Sequence, residues 1–178
     1  MASLLMICGS LRKASQNRML LEAAGRLWTG KAEMASIDMP VYNGDDEDQS
    51  GLPKAAQLLV SQITAADAVL IGTPEYNQSI PGGLKNAFDW VSRVEGKPWA
   101  DKPVAIVSAA AGRAGGARAQ YALRLAMTPF QPRLLTGPEV MVAAAHKEFN
   151  GAGELISEAY QKTLRTLLEK LAAEANRG

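Results

Sequence analysis

At 178 residues the chain is about as long as one ordinary domain, and a second full domain is not expected. Its composition, 47% hydrophobic and 21% charged, is that of a globular chain rather than a disordered or membrane-embedded one. Lys and Arg number 19 against 18 Asp and Glu, a net +1, which removes the electrostatic case for a nucleic-acid or anionic-membrane partner and leaves small molecules or other proteins.

Cys8 and His146 are the only residues of their types, so neither an intrachain disulfide nor a Cys/His zinc site can form. The opening stretch from Met1 to Cys8 is apolar and short. No basic residue precedes it and Arg12 and Lys13 follow it, the reverse of a signal peptide. It reads as a buried strand of a cytoplasmic protein, and no later apolar run is long enough to span a membrane.

In chain order, Leu4–Cys8 is the first predicted strand, followed by a helix with Leu20, Ala24 and Leu27 on its apolar face. A second strand is predicted at Met34–Ile37. The stretch from Tyr42 to Gly51, with its acidic run at 44–48, reads as a surface loop. Leu52, Ala55, Ala56, Leu59, Val60 and Ile63 then follow helical spacing. Strands at Ala68–Thr73 and Val104–Ala109 enclose a helix bearing Leu84, Ala87, Phe88 and Val91, and a fifth strand is expected near Glu139–Val142. The last helix packs Ile156, Tyr160, Leu164, Leu167, Leu168 and Leu171. Continuously apolar strands alternating with amphipathic helices predict one α/β domain over residues 1–178. It is a flavodoxin-like doubly wound parallel sheet of five strands, order 2-1-3-4-5, with helices on both faces.

Ligands of such sheets sit beyond the carboxyl ends of the strands, which singles out three loops. Gly9–Asn17 leads into a helix whose N-terminal N–H groups suit an anion, with Ser10, Ser15 and Asn17 as neutral donors and Arg12 as a planar cation. The alternative is a capping serine followed by solvated charges. The loop lacks the later glycines of G-x-G-x-x-G and the Walker pattern. Ala14 stands where a Cys-x5-Arg phosphatase starting from Cys8 needs arginine, so Cys8 reads as a small buried residue. Thr73–Gly83 is stiffened by Pro74 and Pro81 and displays Tyr76, either to a flat heterocycle or as a plain structural turn. Ser108–Gly116 is small and glycine-rich, permitting close approach of backbone to ligand. An anion cradle, a stiff aromatic loop and a small-residue loop on one rim suit FMN.

The motifs Gly9–Asn17, Pro74–Trp90 and Gly115–Tyr121 strongly resemble those of the NADPH-dependent FMN reductase family, in its quinone and chromate reductase branch. The resemblance implies non-covalent FMN, homodimers or homotetramers, and hydride transfer from NADH or NADPH. It assigns Ser10, Arg12, Ser15, Gln16 and Asn17 to the phosphate and ribityl side of FMN. Pro74, Glu75, Tyr76 and Asn77 go to the isoalloxazine edge, and Ser108 with Gly112 to its other side. Chemistry then belongs to flavin N5, in ping-pong fashion, and no protein acid or base is obligatory. Tyr76 is expected to wall the substrate pocket, with Arg93 or Arg113 attracting anionic acceptors such as chromate or chelated ferric iron.

The helix at Arg118–Phe130 spreads Tyr121, Leu123, Leu125 and Met127 around its circumference, which points to a subunit interface or to a helix buried within the monomer. The functional expectation is an NAD(P)H oxidoreductase acting on quinones and, less specifically, on chromate, ferric complexes or azo compounds. The competing reading is a non-enzymatic FMN-binding redox sensor or electron carrier. Carriers of that kind are usually strongly acidic, and this chain is not.

Overall fold

The computed structural model describes residues 1–177. Its strands are β1 (Leu4–Cys8), β2 (Ala32–Ala35), β3 (Ala68–Gly72), β4 (Pro103–Ala109), β5 (Arg133–Leu134) and β6 (Val140–Val142). The helices are α1 (Gln16–Leu27), α2 (Gly44–Ser50), α3 (Lys54–Ala65), α4 (Gly82–Val91), α5 (Ala117–Met127) and α6 (Glu158–Ala175). All pairings are parallel, in the order β2-β1-β3-β4-β5 with β6 also on β4. The flavodoxin-like order expected from the alternation is therefore present.

Every residue of β1 and β4 and of the apolar β3 run is buried, as strands covered on both faces must be. Pleating sends Leu4, Met6 and Cys8 to one face, against Leu20, Ala24, Leu164 and Leu168 of α1 and α6. Leu5 and Ile7 go to the other, against Leu59, Ile63, Leu84, Phe88 and Leu123 of α3, α4 and α5. Adjacent strand residues thus feed two separate cores, and the sheet is held from both sides.

Three elements differ from the sequence reading. The second strand lies two residues earlier than Met34–Ile37, because Leu4 pairs with Ala32 and the ladder ends at Ala35. Ser36 Oγ then accepts from Asp38 N–H, turning the chain, while Ile37 stays buried. The fifth strand is split: Pro103 and Val104 pair with β5, and Val107, Ser108 and Ala109 with β6. The acidic stretch is a helix rather than a loop. Asn43 Oδ1 caps it by accepting from Asp45 N–H at 3.1 Å, and Asp45, Asp46 and Glu47 occupy its first turn, where the helix dipole favours negative charge.

That helix buries none of its own residues, so its place is set by α4. Pro40 O accepts from Trp90 Nε1 at 2.8 Å and from Asn86 Nδ2 at 2.9 Å, and Asn86 Oδ1 accepts from Tyr42 N–H. Tyr42 donates to Glu47 Oε2 at 2.9 Å, and Arg93 Nε donates to both Glu47 oxygens. On α5, Leu123 and Met127 are buried whereas Tyr121 and Leu125 are exposed.

A candidate flavin cleft at the carboxyl ends of the strands

A cleft of about 470 Å³ lies beyond the carboxyl ends of β1, β3 and β4, within the size range of small-molecule sites. The loop after β1 contributes Ser10, Arg12, Ser15, Gln16 and Asn17, and the loop after β3 contributes Pro74, Glu75 and Tyr76. Ala109, the last residue of β4, and Ala110 and Ala111 after it form a wall of small residues.

Ser15 caps α1 and its Oγ accepts from Arg18 N–H at 3.4 Å. Ser10 Oγ accepts from Arg12 N–H at 3.3 Å and lies 3.4 Å from the Tyr76 hydroxyl, joining the first loop to the second. Both serines are 5% exposed. The two N–H···O contacts are longer than the usual value of about 2.9–3.0 Å, the hydroxyl pair is longer than about 2.7–2.8 Å, and the further partner of Ser15 is Cys8 Sγ at 3.8 Å. Both nearly buried hydroxyls, Ser15 at the N-cap of α1 and Ser10 in the loop after β1, therefore keep bonding capacity for a ligand. Arg12 adds a cation on the same rim. Such a donor set fits a phosphate.

The second loop is stiffer than its prolines alone imply. Tyr76 and Ser79 exchange two backbone bonds, of 3.0 and 3.1 Å, around Asn77 and Gln78, both at positive φ, the turn that closes a two-residue hairpin. Tyr76 is left 49% exposed on the cleft rim, with Asn77 at the turn and outside the lining. The Glu75 carboxylate is engaged by Arg118, whose N–H donates at 3.1 Å and whose Nη1 donates at 3.2 Å. It thereby ties this loop to the start of α5.

Asn17 lines the cleft and also supports its wall, while Ser108 and Gly112 act from behind it. Asn17 directs its amide at Ala109, and its backbone stays at the helix N-terminus. Ser108 is fully buried and lies beneath the cleft: its Oγ donates to Gly115 O and accepts from Gln120 Nε2 at 2.9 Å. Gly112 is outside the lining, its carbonyl accepting from Gly115 and Ala144 N–H. Arg113 is exposed on the same loop.

Arg93 departs from the expectation. The structure does not bring it to the cleft, because Glu47 holds its guanidinium and its Cζ stands 5.9 Å from the centre of the Tyr42 ring. Conversely, His146, Phe149 and Asn150 line the cleft from beyond β6 and were not singled out as site residues. The rule that ligands sit past strand ends, extended to the fifth strand, would have found them.

Residues 2–147 match the sequence profile of the NADPH-dependent FMN reductases. The chain belongs to the NADPH-dependent FMN reductase family. It is 43% identical over 168 residues to an NAD(P)H-dependent FMN reductase of Pseudomonas aeruginosa, covering 93% of this chain and 90% of that one. A quinone reductase of Escherichia coli K12 is 38% identical over 172 residues, covering 94% and 90%. In three dimensions the chain superposes on FerB, a flavoenzyme NAD(P)H:(acceptor) oxidoreductase of Paracoccus denitrificans. The TM-score is 0.89 at 30% identity, over 99% of this chain and 98% of FerB. FMN reductases are oxidoreductases, and this chain is an NAD(P)H-dependent flavin oxidoreductase of that family.

Proposed function

We propose that this protein is an FMN-dependent NAD(P)H oxidoreductase that passes electrons by a ping-pong route to quinones and, with low specificity, to chromate, ferric complexes or azo compounds. The observation that carries the reading is the pair of nearly buried hydroxyls with only long contacts, Ser10 in the loop after β1 and Ser15 at the N-cap of α1. The quinone reductase of E. coli, at 38% identity, supports quinones as acceptors.

FMN held here would supply the redox chemistry, hydride uptake from the nicotinamide and electron delivery to the acceptor. The chain's residues hold and orient it. Ser10, Ser15, Gln16 and Arg12 receive the phosphate and ribityl side together with the backbone N–H groups of the first turn of α1, Asn17 among them. Pro74, Glu75 and Tyr76, with Asn77 at the turn, frame the ring edge. Ala109–Ala111 let the ring lie against backbone, and Ser108 and Gly112 shape that wall from behind. Tyr76 borders the space left for substrate, and Arg113 offers a charge to anionic acceptors. The exposed Tyr121 and Leu125 on α5 form the face through which copies associate as homodimers or homotetramers.

The test is an anaerobic absorbance spectrum with stoichiometric FMN, then NADH or NADPH, then a benzoquinone. Bleaching by the nicotinamide and recovery on quinone is the expected result. Binding without bleaching overturns the reductase reading in favour of a redox sensor or carrier, and absence of FMN binding overturns the site.

A further inference from the structure

His146 is the single histidine of the chain, and the flavin reading above makes no use of it. It lies on the 3-10 turn Ala145–Lys147 that follows β6. Backbone bonds fasten this segment to the wall of the cleft: Ala110 N–H donates to Val142 O at 3.0 Å, and Ala145 N–H to Ala110 O at 3.0 Å. Ala144 N–H donates to Gly112 O at 3.3 Å, and the Tyr160 hydroxyl accepts from Ala143 N–H at 3.1 Å. Ala144 itself has φ 45°, a left-handed conformation that a residue with a Cβ keeps only where its surroundings enforce it. The outcome is a stiff bracket carrying an exposed imidazole that lines the same cleft as Ser10, Arg12 and Gln16.

We propose that His146 is a pH-dependent cationic partner of the FMN phosphate, completing from the β6 side the cradle that Arg12 and the serine hydroxyls build from the β1 side. The proposal rests on the flavin reading of the cleft. A phosphate monoester carries about −1.5 to −2 charges at neutral pH. Arg12 is the one other basic side chain among the described residues lining the cleft. Glu75, the one carboxylate there, is engaged by Arg118, so it does not compete for the imidazolium. Tyr76, whose hydroxyl lies at Ser10, shares the lining, Arg113 is on the β4 loop whose Gly112 carbonyl holds Ala144, and Lys147 and Glu148 follow the histidine in the chain. Glu154, farther along the segment, is held by Asn150 Nδ2 at 2.7 Å.

The pH dependence has a definite sign. Imidazole ordinarily gains its proton between pH 5 and 8, and only the protonated ring attracts the phosphate. Its contribution to affinity is therefore complete below the midpoint of the free protein and disappears as pH rises through the midpoint of the complex. The second ionisation of the phosphate, near about pH 6, acts in the opposite direction. Wild-type affinity passes through a maximum, whereas His146→Gln shows only the rise.

A single histidine makes the test direct, since one imidazole resonance reports it by NMR in the intact protein. Its titration is followed alone, with FMN, and with riboflavin, which lacks the phosphate. FMN is expected to move the midpoint upward by about one pH unit, equivalent to about tenfold in affinity between the two charge states, and riboflavin to leave it in place. Fluorescence titration with FMN is expected to show His146→Gln weaker at pH 6 by up to about tenfold and matching wild type at pH 8.5. His146→Lys is expected to hold FMN well at both. A midpoint that FMN binding does not move overturns the proposal, as does an equal shift with riboflavin. A chain that binds no FMN overturns the flavin reading and this proposal with it.

Discussion

Asn17 grips Ala109 by both of its backbone groups: Nδ2 donates to the carbonyl at 2.8 Å, and Oδ1 accepts from the N–H at 2.9 Å. The start of α1 is thereby locked to the end of β4, two elements that the chain places 92 residues apart. Both partners are buried. Asn17→Ala leaves a donor and an acceptor without partners, at about 1–3 kcal/mol each, so urea unfolding should show a loss of about 2–4 kcal/mol. Since Ala109 belongs to the wall of the cleft, FMN affinity should fall with it. Asn17→Asp keeps the acceptor and sets a carboxylate against the carbonyl, and should be damaging as well.

The β4 loop offers an internal comparison between two glycines. A Cβ on Gly115 would stand 2.5 Å from the Met141 carbonyl oxygen, at φ 59°, while one on Gly112 would meet nothing within 4 Å. Gly115→Ala should destabilise by about 2 kcal/mol or more, because backbone of β6 must move and the conformation itself resists a side chain. Gly112→Ala should stay within about 1 kcal/mol of wild type. Thermal unfolding of the pair separates the two effects.

The cluster at α2 predicts a spectroscopic change. Tyr42 is held above its ordinary titration range chiefly by the hydrogen bond it donates to Glu47, with desolvation as the next cause. Glu47→Gln should move the tyrosinate absorbance step to lower pH, and Tyr42→Phe should remove it. Arg93→Ala frees the same carboxylate and should loosen α2, which has no buried residue of its own, while FMN affinity stays unchanged.

Acid should weaken the tie between the amino terminus and β3. Asp67 Oδ2 accepts from Ser3 N–H at 2.7 Å and from Ser3 Oγ at 2.8 Å, and these bonds, the backbone one foremost, hold its carboxyl below the usual range. A depressed folded value means the stabilisation is whole above the unfolded pKa, about 3.9, and is lost as pH falls through the folded one. Asp67 is exposed, so the effect should not exceed about 1 kcal/mol. Urea midpoints of wild type and Asp67→Asn should differ at pH 6 and converge under strong acid.

Much of the fold was legible because burial on both faces forces continuous apolar runs, and β1, β3 and β4 are written that way. The helix faces around Leu84, Phe88, Leu164 and Leu168 were legible for the same reason. The acidic helix was not, since it has no apolar face: the Asn43 cap and the acids of its first turn were its only local signals. Nor was β5, whose two residues carry no period to detect. Within the site, residue type identified Ser10, Arg12 and Tyr76, which line the cleft, but an amide such as Asn17 serves a ligand or a backbone equally well, and the sequence does not distinguish them. Arg93 misled for a related reason, its partner Glu47 lying 46 positions away on an element taken for a loop.

The fifth place in the sheet is filled by two short strands, one on each half of β4. The half nearer the cleft carries the bracket of His146, and the other closes the far end of the sheet, with Leu135–Glu139 joining them. The outer rim of the cleft is therefore a cassette. Residues added at the joint are expected to leave the pairing of β1, β3 and β4 in register, which thermal unfolding of an insertion variant checks. Thr136, exposed on that joint and outside the residues that line the cleft, is the natural splice point.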